Sequence, residues 1–270
     1  MNNLHRELAP ISTAAWKKID EEASRTLKLK LAGRKLVDFV GPLGPHAAAV
    51  NTGRLQPVDN EAAPGVKGAR REVVPLVHLE TDFELDRAEL DAVERGSEDP
   101  DLEQVKAAAS RMAQAEDTAV FVGYAAGGIH GISERSPHKP LQIPKAYEDY
   151  PGVVAEATRL LHTAGISRPY GLALGTRCYQ GLVQATEGGY PVLKVVKNII
   201  EGPVVWAPAV NGAIVLSMHG GDFELTIGRD LSIGYRSHDA AKVRLYVTES
   251  LAFRVITPEA AVALVYEDGR

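Results

Sequence analysis

HGGDFELTIGRDLSIGY, residues 219–235, is the stretch from which the fold is read. It opens on Gly220-Gly221-Asp222, after which Phe223, Leu225 and Ile227 alternate with Glu224 and Thr226. Gly228-Arg229-Asp230 interrupts the run, and Leu231, Ile233 and Tyr235 resume it at period two. Strict alternation bounded by Gly/Asp turns predicts a β-hairpin with one apolar face on each strand. No residue of the stretch has a chemical character that points to catalysis.

Downstream, strands are expected at 243–249 and 251–256, followed by an apolar tail over 260–266. Upstream lie strands at 204–207 and 213–218, a helix ending near 200, and the loop Thr186-Glu187-Gly188-Gly189-Tyr190-Pro191. Before that loop come helices over 149–165 and up to about 185, with a strand over 170–174 between them. The glycine-rich 123–131 lacks both the Lys-Ser/Thr ending of a P-loop and the spacing of a dinucleotide fingerprint, so it reads as a linker.

Near the N-terminus, Ser12 or Thr13 is placed to cap a helix whose Trp16, Ile19, Ala23, Leu27 and Leu31 form one apolar stripe, ending near Gly33. A strand over 34–40 follows. Residues 42–75 carry prolines at 42, 45, 57, 64 and 75 and no helical period. A structureless connection of that length does not suit a compact domain. Two extended pieces around a turn at 59–65 instead describe a long two-stranded arm. Because an isolated hairpin is marginal in water, the arm needs a neighbouring subunit to lie on. Beyond it, a strand over 77–81, a helix over 85–94 and a longer helix capped by Asp101 are expected. Leu102, Val105, Ala109, Met112, Ala119 and Val120 give the long helix its buried face. Glu116 falls beside that face and requires an Arg or backbone partner.

A chain of 270 residues with 45% hydrophobic and 24% charged content is an ordinary globular composition. Its net charge of −5 gives no attraction to nucleic acid or to an anionic membrane. No basic-then-apolar leader and no span of apolar residues long enough to cross a bilayer is present, so a cytoplasmic location is expected. The single cysteine, Cys178, precludes an internal disulfide and reads as a small buried apolar residue. Eight histidines occur without metal-ligand spacing, and there is no GxSxG elbow. No catalytic residue, metal site or cofactor is expected. His130 and His219 read as turn residues, and Asp222, Asp230 and Asp239 as turn carboxylates bonding backbone amides.

Taken in order, LAPIxxxAWxxIDEEA at the start, LAGRKLVDFVGP at 31–42, ELDAVERG at 89–96, AEDTAVFxG at 115–123 and GGDFELTIGRDLSIGY at 220–235 resemble the encapsulin family. These are linocin-type bacterial shell proteins with the fold of HK97-type phage capsids. The resemblance spans essentially the whole chain. It implies an α+β, HK97-like capsid fold in which residues 1–41 form the N-terminal helix and start the peripheral domain. Residues 42–75 become the extended loop, 76–130 the peripheral domain with its spine helix, 131–218 the axial domain and 219–270 the return to the peripheral domain.

The same resemblance implies an icosahedral homo-oligomer that encloses a cargo enzyme, such as a dye-decolourising peroxidase or a ferritin-like protein, through a short terminal peptide. Partners other than copies of itself and this cargo are not expected, neither nucleic acid nor membrane. The loop Thr186-Glu187-Gly188-Gly189-Tyr190 takes the family's pore position, as a small, flexible, acidic opening. The inner wall that receives the peptide is formed by the N-terminal helix, the strand after it and the 219–235 stretch. An extended apolar peptide needs a shallow apolar groove with a few polar anchors. Leu27, Leu31, Leu231, Ile233 and Tyr235 are the expected groove, with Arg34 and Asp38 as anchors. Two rivals remain at this point. A phage major capsid protein shares the fold, but scaffolding segments often precede its shell helix, whereas Met1 here leads almost directly into that helix. A linocin-type bacteriocin or protease would need a nucleophile and base that the sequence does not display.

Overall fold

Two five-stranded sheets organise the chain, one near each end of a long helix, and a two-stranded arm projects from the first. The computed structural model describes residues 3–267. In chain order the elements are α1 (Thr13–Lys30), β1 (Asp38–Val40), β2 (Ala49–Pro57), β3 (Ala69–Pro75), β4 (Val77–Asp86), α2 (Arg87–Glu94) and α3 (Glu103–Phe121). Then come β5 (Gly123–Tyr124), β6 (Ile129–His130), α4 (Ile132–Arg135), β7 (Leu141–Gln142), α5 (Tyr150–Thr163), β8 (Tyr170–Leu174) and α6 (Thr176–Gln184). The remainder is β9 (Thr186–Glu187), β10 (Tyr190–Pro191), α7 (Val192–Ile200), β11 (Val204–Trp206), β12 (Ala213–Ser217), β13 (Phe223–Ile227), β14 (Ser232–His238), β15 (Lys242–Val255) and β16 (Ala261–Val265).

The first sheet runs β1-β13-β15-β14, with β4 also paired to β15. Helix α1 starts where expected, with Ser12 Oγ accepting from the Ala15 N–H at 3.2 Å. Its Ala15, Ile19 and Ala23 are buried with Val105, Ala108 and Met112 of α3 and with Val243, Leu245 and Val247 of β15. The alanines of α3 let this helix approach its neighbours closely, and Val105, Ala108, Ala109 and Val120 are wholly buried. The N-cap of α3 is Leu102, not the expected Asp101, which stands one residue earlier and accepts from the Glu103 N–H at 3.0 Å.

The second sheet runs β11-β8-β12-β16-β7 and is covered by α5, α6 and α7. Every residue of β8 and β12 is buried, so these strands read as continuous apolar runs, not as alternations. The apolar tail at 260–266 turns out to contain β16, which pairs with both β12 and β7 and lies in this sheet, away from the β15 strand that precedes it.

The strand expected over 34–40 is strand only at Asp38–Val40, after a 3-10 turn at Gly33–Lys35, and three further expectations fail locally. The first is the hairpin: β13 and β14 do not pair with each other. Both are antiparallel to β15, β13 against Leu251–Val255 and β14 against Val243–Thr248. Leu251 pairs with Ile227 on one side and with Val77 of β4 on the other, so β13 and β14 occupy successive lengths of one edge of β15. The Gly228-Arg229-Asp230 step is pinned to Ser250: Gly228 and Arg229 donate to its O and Oγ, and its own N–H donates to Arg229 O. A Cβ on Gly228 would stand 2.6 Å from both Leu76 and Ser250 side-chain atoms, which is why glycine sits there. The second is the break at 250: one unbroken 14-residue strand replaces the expected pair at 243–249 and 251–256. The third is the helix expected from 85. Strand β4 continues to Asp86, burying Phe83 and Leu85, because β15 offers it ten consecutive pairing positions.

The 42–75 segment is the two-stranded arm read from sequence, with β2 and β3 antiparallel from Ala49↔Pro75 to Pro57↔Ala69. Almost all of it is exposed, Leu55 at 63% and Val73 at 44% included. The 123–131 linker forms the short β5–β6 ladder beneath α3.

Candidate functional site

Helix α1 lies across the β14 end of the first sheet, and an open cavity of about 580 Å³ remains between them. Its apolar lining comes from Ala23, Leu27 and Leu31 on one side and from Leu231, Ile233 and Val247 on the other. The helical stripe and the strand alternation each deliver one wall, which is how residues some 200 apart in sequence meet. Leu27 and Leu231 are partly exposed, whereas Leu31 and Ile233 are buried. Asp20, Lys28, Arg34, Lys35 and Asp230 surround this lining, and Leu4 and Arg6 close one end.

Five of the seven expected groove residues therefore meet here: Leu27, Leu31, Arg34, Leu231 and Ile233. The other two lie off the lining. Asp38 is turned to the Gly220-Gly221 step, where its carboxylate accepts from the Gly221 N–H. Tyr235 gives its backbone N–H to Leu4 O at 2.8 Å, and its hydroxyl pairs with His238 Nδ1 at 2.6 Å.

Arg34 holds the end of the cavity together. Its Nε donates to both oxygens of Glu116 at 2.9 and 3.0 Å. Its Nη2 reaches Glu116 and Glu249, each at 2.6 Å, and its Nη1 reaches Asp230 at 2.8 Å. The partner that Glu116 required is thus Arg34. Glu116 and Glu249 are fully buried, and one guanidinium cannot neutralise three carboxylates. Burial first, then the adjacent Glu116 charge, raises the Glu249 carboxyl well above the usual carboxylate range. Next to it, Asp117 accepts from the Ala32 and Gly33 N–H groups at 2.9 and 2.7 Å, satisfying the amides that follow α1. Burial pushes Asp117 up to about 7 even against those two hydrogen bonds. Glu249 was missed from sequence, although a lone acid within the run VTESLAF is the signal that marks it.

Residues 186–191 form a minimal hairpin, Tyr190↔Glu187 and Pro191↔Thr186. Gly188 and Gly189 have φ of 56° and 83°, the pair of positive values that a tight two-residue hairpin turn demands. Thr186, Glu187, Gly188, Gly189 and Tyr190 are all exposed, whereas the preceding Ala185 is buried.

The histidines singled out from the sequence and the turn carboxylate Asp239 pair locally. His130 pairs with Glu134 at 2.9 Å, His219 with Ser167 O at 2.7 Å, and Asp239 accepts from the Ala241 and Lys242 N–H groups. Cys178 is fully buried, and burial raises its thiol. No group of three metal-ligating side chains occurs among the described residues, and no helix among them is long and apolar enough to cross a membrane.

A family model described as an encapsulating protein for peroxidase matches residues 1–252. The chain belongs to the encapsulin family. A type 1 encapsulin shell protein of Rhodospirillum rubrum is 50% identical to it, over 98% of this chain and 96% of the relative. Among solved structures, the virus-like particle of Pyrococcus furiosus aligns with a TM-score of 0.63 at 15% identity, covering 92% of this chain and 98% of that one. The capsid of the myovirus XM1 aligns at 0.53 and 11% identity, covering 84% and 88%. The encapsulin fold is therefore the HK97-like capsid fold, α+β as expected from sequence. The structures similar to phage capsids show the fold alone, and the family match separates an encapsulin from a phage capsid protein. The role of an encapsulin shell protein is structural, not catalytic.

Proposed function

We propose that this encapsulin assembles with copies of itself into a closed icosahedral shell and that an enzyme is held inside by a short terminal peptide seated between α1 and β14. The observation that carries this reading is the cavity itself, an open apolar trough with charged residues at its margin. Such a trough suits an extended apolar segment, whose side chains gain by leaving water while the charges orient it. The arm 42–75 supplies the second element, an exposed two-stranded surface to be covered by a neighbouring copy. The hairpin 186–191 supplies the third, a small acidic opening for the substrates of the enclosed enzyme. That enzyme is a peroxidase or a ferritin-like protein on the family's pattern.

The test uses Leu27→Glu and Leu231→Glu, since Ile233 belongs to the core beneath the trough and a charge there would disturb folding. Expressed in the cells that make the particle, both variants are expected to give shells of normal size in electron micrographs that have lost their contents. Full shells from both variants would sink the groove assignment.

A further inference from the structure

We infer that the occupant of the α1–β14 trough binds as an added β-strand, its main chain paired to Ile233 on the open edge of β14. This rests on the groove reading above and goes beyond it, since it specifies how the peptide is held and which of its residues face the wall.

The argument is one of backbone direction. Ser250 directs its N–H and C=O toward the β13–β14 edge of β15, to Arg229 O and from the Gly228 N–H. By strand alternation Thr248 and Tyr246 do the same, and they pair with Ser232 and Gly234. Val247 therefore turns its backbone toward β4, and its partner Ile233 turns its own backbone away from β15. Tyr235 shows the same direction independently, because two residues further on its N–H leaves the sheet to meet Leu4 O at 2.8 Å. The Ile233 N–H and C=O thus point out of the sheet beside a cavity that Ile233 lines. No residue among those described takes either group. Main-chain groups next to a 5% exposed side chain are seldom left without a partner.

The occupant that fits is an extended chain. The N-terminal residues already use this edge at Tyr235: Asn3 O accepts from the Tyr246 hydroxyl, and Arg6, stacked 3.9 Å over Trp16, is tied to Asp20 at 2.7 Å. Among the described residues nothing continues along the edge to the next outward-facing position, Ile233, inside the trough. An incoming strand that satisfies both Ile233 groups gains main-chain hydrogen bonds that do not depend on its sequence, and its side chains alternate in direction. Every second residue then faces Leu27 and Leu231, and the residues between face away. The partner feature is accordingly a terminal segment of the enclosed protein with apolar residues at alternate positions.

Hydrogen exchange read by mass spectrometry tests this on two samples, particles isolated with their contents from the cells that make them and particles assembled from this chain alone. The Ile233 amide is expected to exchange freely in the empty particle and to slow by about tenfold or more in the loaded one, as a newly made main-chain hydrogen bond requires. If residues 27–31 become protected while Ile233 exchanges alike in both samples, the strand-addition inference is overturned and the groove reading stands. If neither region differs between full and empty particles, both fail. Strong protection of Ile233 in the empty particle also overturns it, since the edge would then be closed by the shell's own chains. As a second arm, Ile233→Pro removes the outward N–H without touching a β15 hydrogen bond, whereas Ile233→Ala keeps it. Both variants lose the Ile233 side chain from the wall, so shells of the Pro variant are expected to hold several-fold less than those of the Ala variant, which keeps the N–H. Equal contents in two assembled variants would refute the pairing, and exchange decides alone if the Pro variant does not assemble.

Discussion

The arm and the second sheet are both β-structure, and their surroundings could hardly differ more. Strands β8 and β12 are buried along their whole length, whereas β2 and β3 present almost every side chain to solvent. The sheet is stabilised by side chains of its own subunit, so it is complete within one chain. The arm has only a two-stranded ladder and almost no buried residue, so on the proposed reading its ordering comes from another copy. On that reading one chain contains a self-sufficient fold and a segment whose stability belongs to the assembly. The first sheet is intermediate, with an apolar core but also buried Glu116, Asp117 and Glu249, which the second sheet has no counterpart for.

The largest effect expected from this contrast is on assembly. Replacing 49–75 by a short Gly-Ser turn is expected to abolish shells while leaving a folded subunit, to be read by sedimentation and circular dichroism. Shells of normal size from this variant would mean that the arm does not join subunits. Next comes the opposite pair of truncations. Leu172→Ala, at a fully buried position of β8, is expected to lower subunit stability by roughly 2–5 kcal/mol. Leu55→Ala on the arm is expected to change it by less than about 0.5 kcal/mol. Denaturant unfolding of the arm-less subunit carrying Leu172→Ala, and of dissociated subunits carrying Leu55→Ala, measures both.

A smaller effect separates the first sheet from the second. Asp117 has its carboxyl raised to about 7 in the folded chain against about 4 when unfolded. The folded state therefore holds the extra proton, and the stabilisation is complete below about pH 4 and is lost as pH rises through about 7. Asp117→Asn is expected to flatten that fall in melting temperature between pH 4 and 7, and identical slopes in the two proteins would contradict it. The smallest effect is on the 186–191 hairpin. Glu187→Gln, on an exposed turn, is expected to leave stability within about 0.5 kcal/mol, detectable only as slower passage of small cations into the shell.

Much of this organisation was legible because it is local. The α1 stripe, the buried face of α3 and the proline-studded arm declare themselves through spacing and composition within a few turns of chain. What stayed hidden is set by distant partners. Alternation in 223–235 is the same whether β13 pairs with β14 or both pair with β15, so the hairpin expectation had no means of correction. Arg34 looked like a free anchor because Glu116 and Glu249 lie 82 and 215 residues away. Asp38 and Tyr235 shared the neighbourhood of the groove but not its facing, which depends on backbone direction at the sheet edge.

The long strand β15 also fixes when the subunit can exist. Strands β1 and β4, near the start of the chain, are held by β13 and β15, and the second sheet is incomplete until β16 is in place. Contacts of such sequence separation form late and slowly. A chain emerging from the ribosome exposes its arm long before residues 242–265 appear, yet it has no finished body for that arm to join. A finished body for the arm is therefore expected only once synthesis has passed β16.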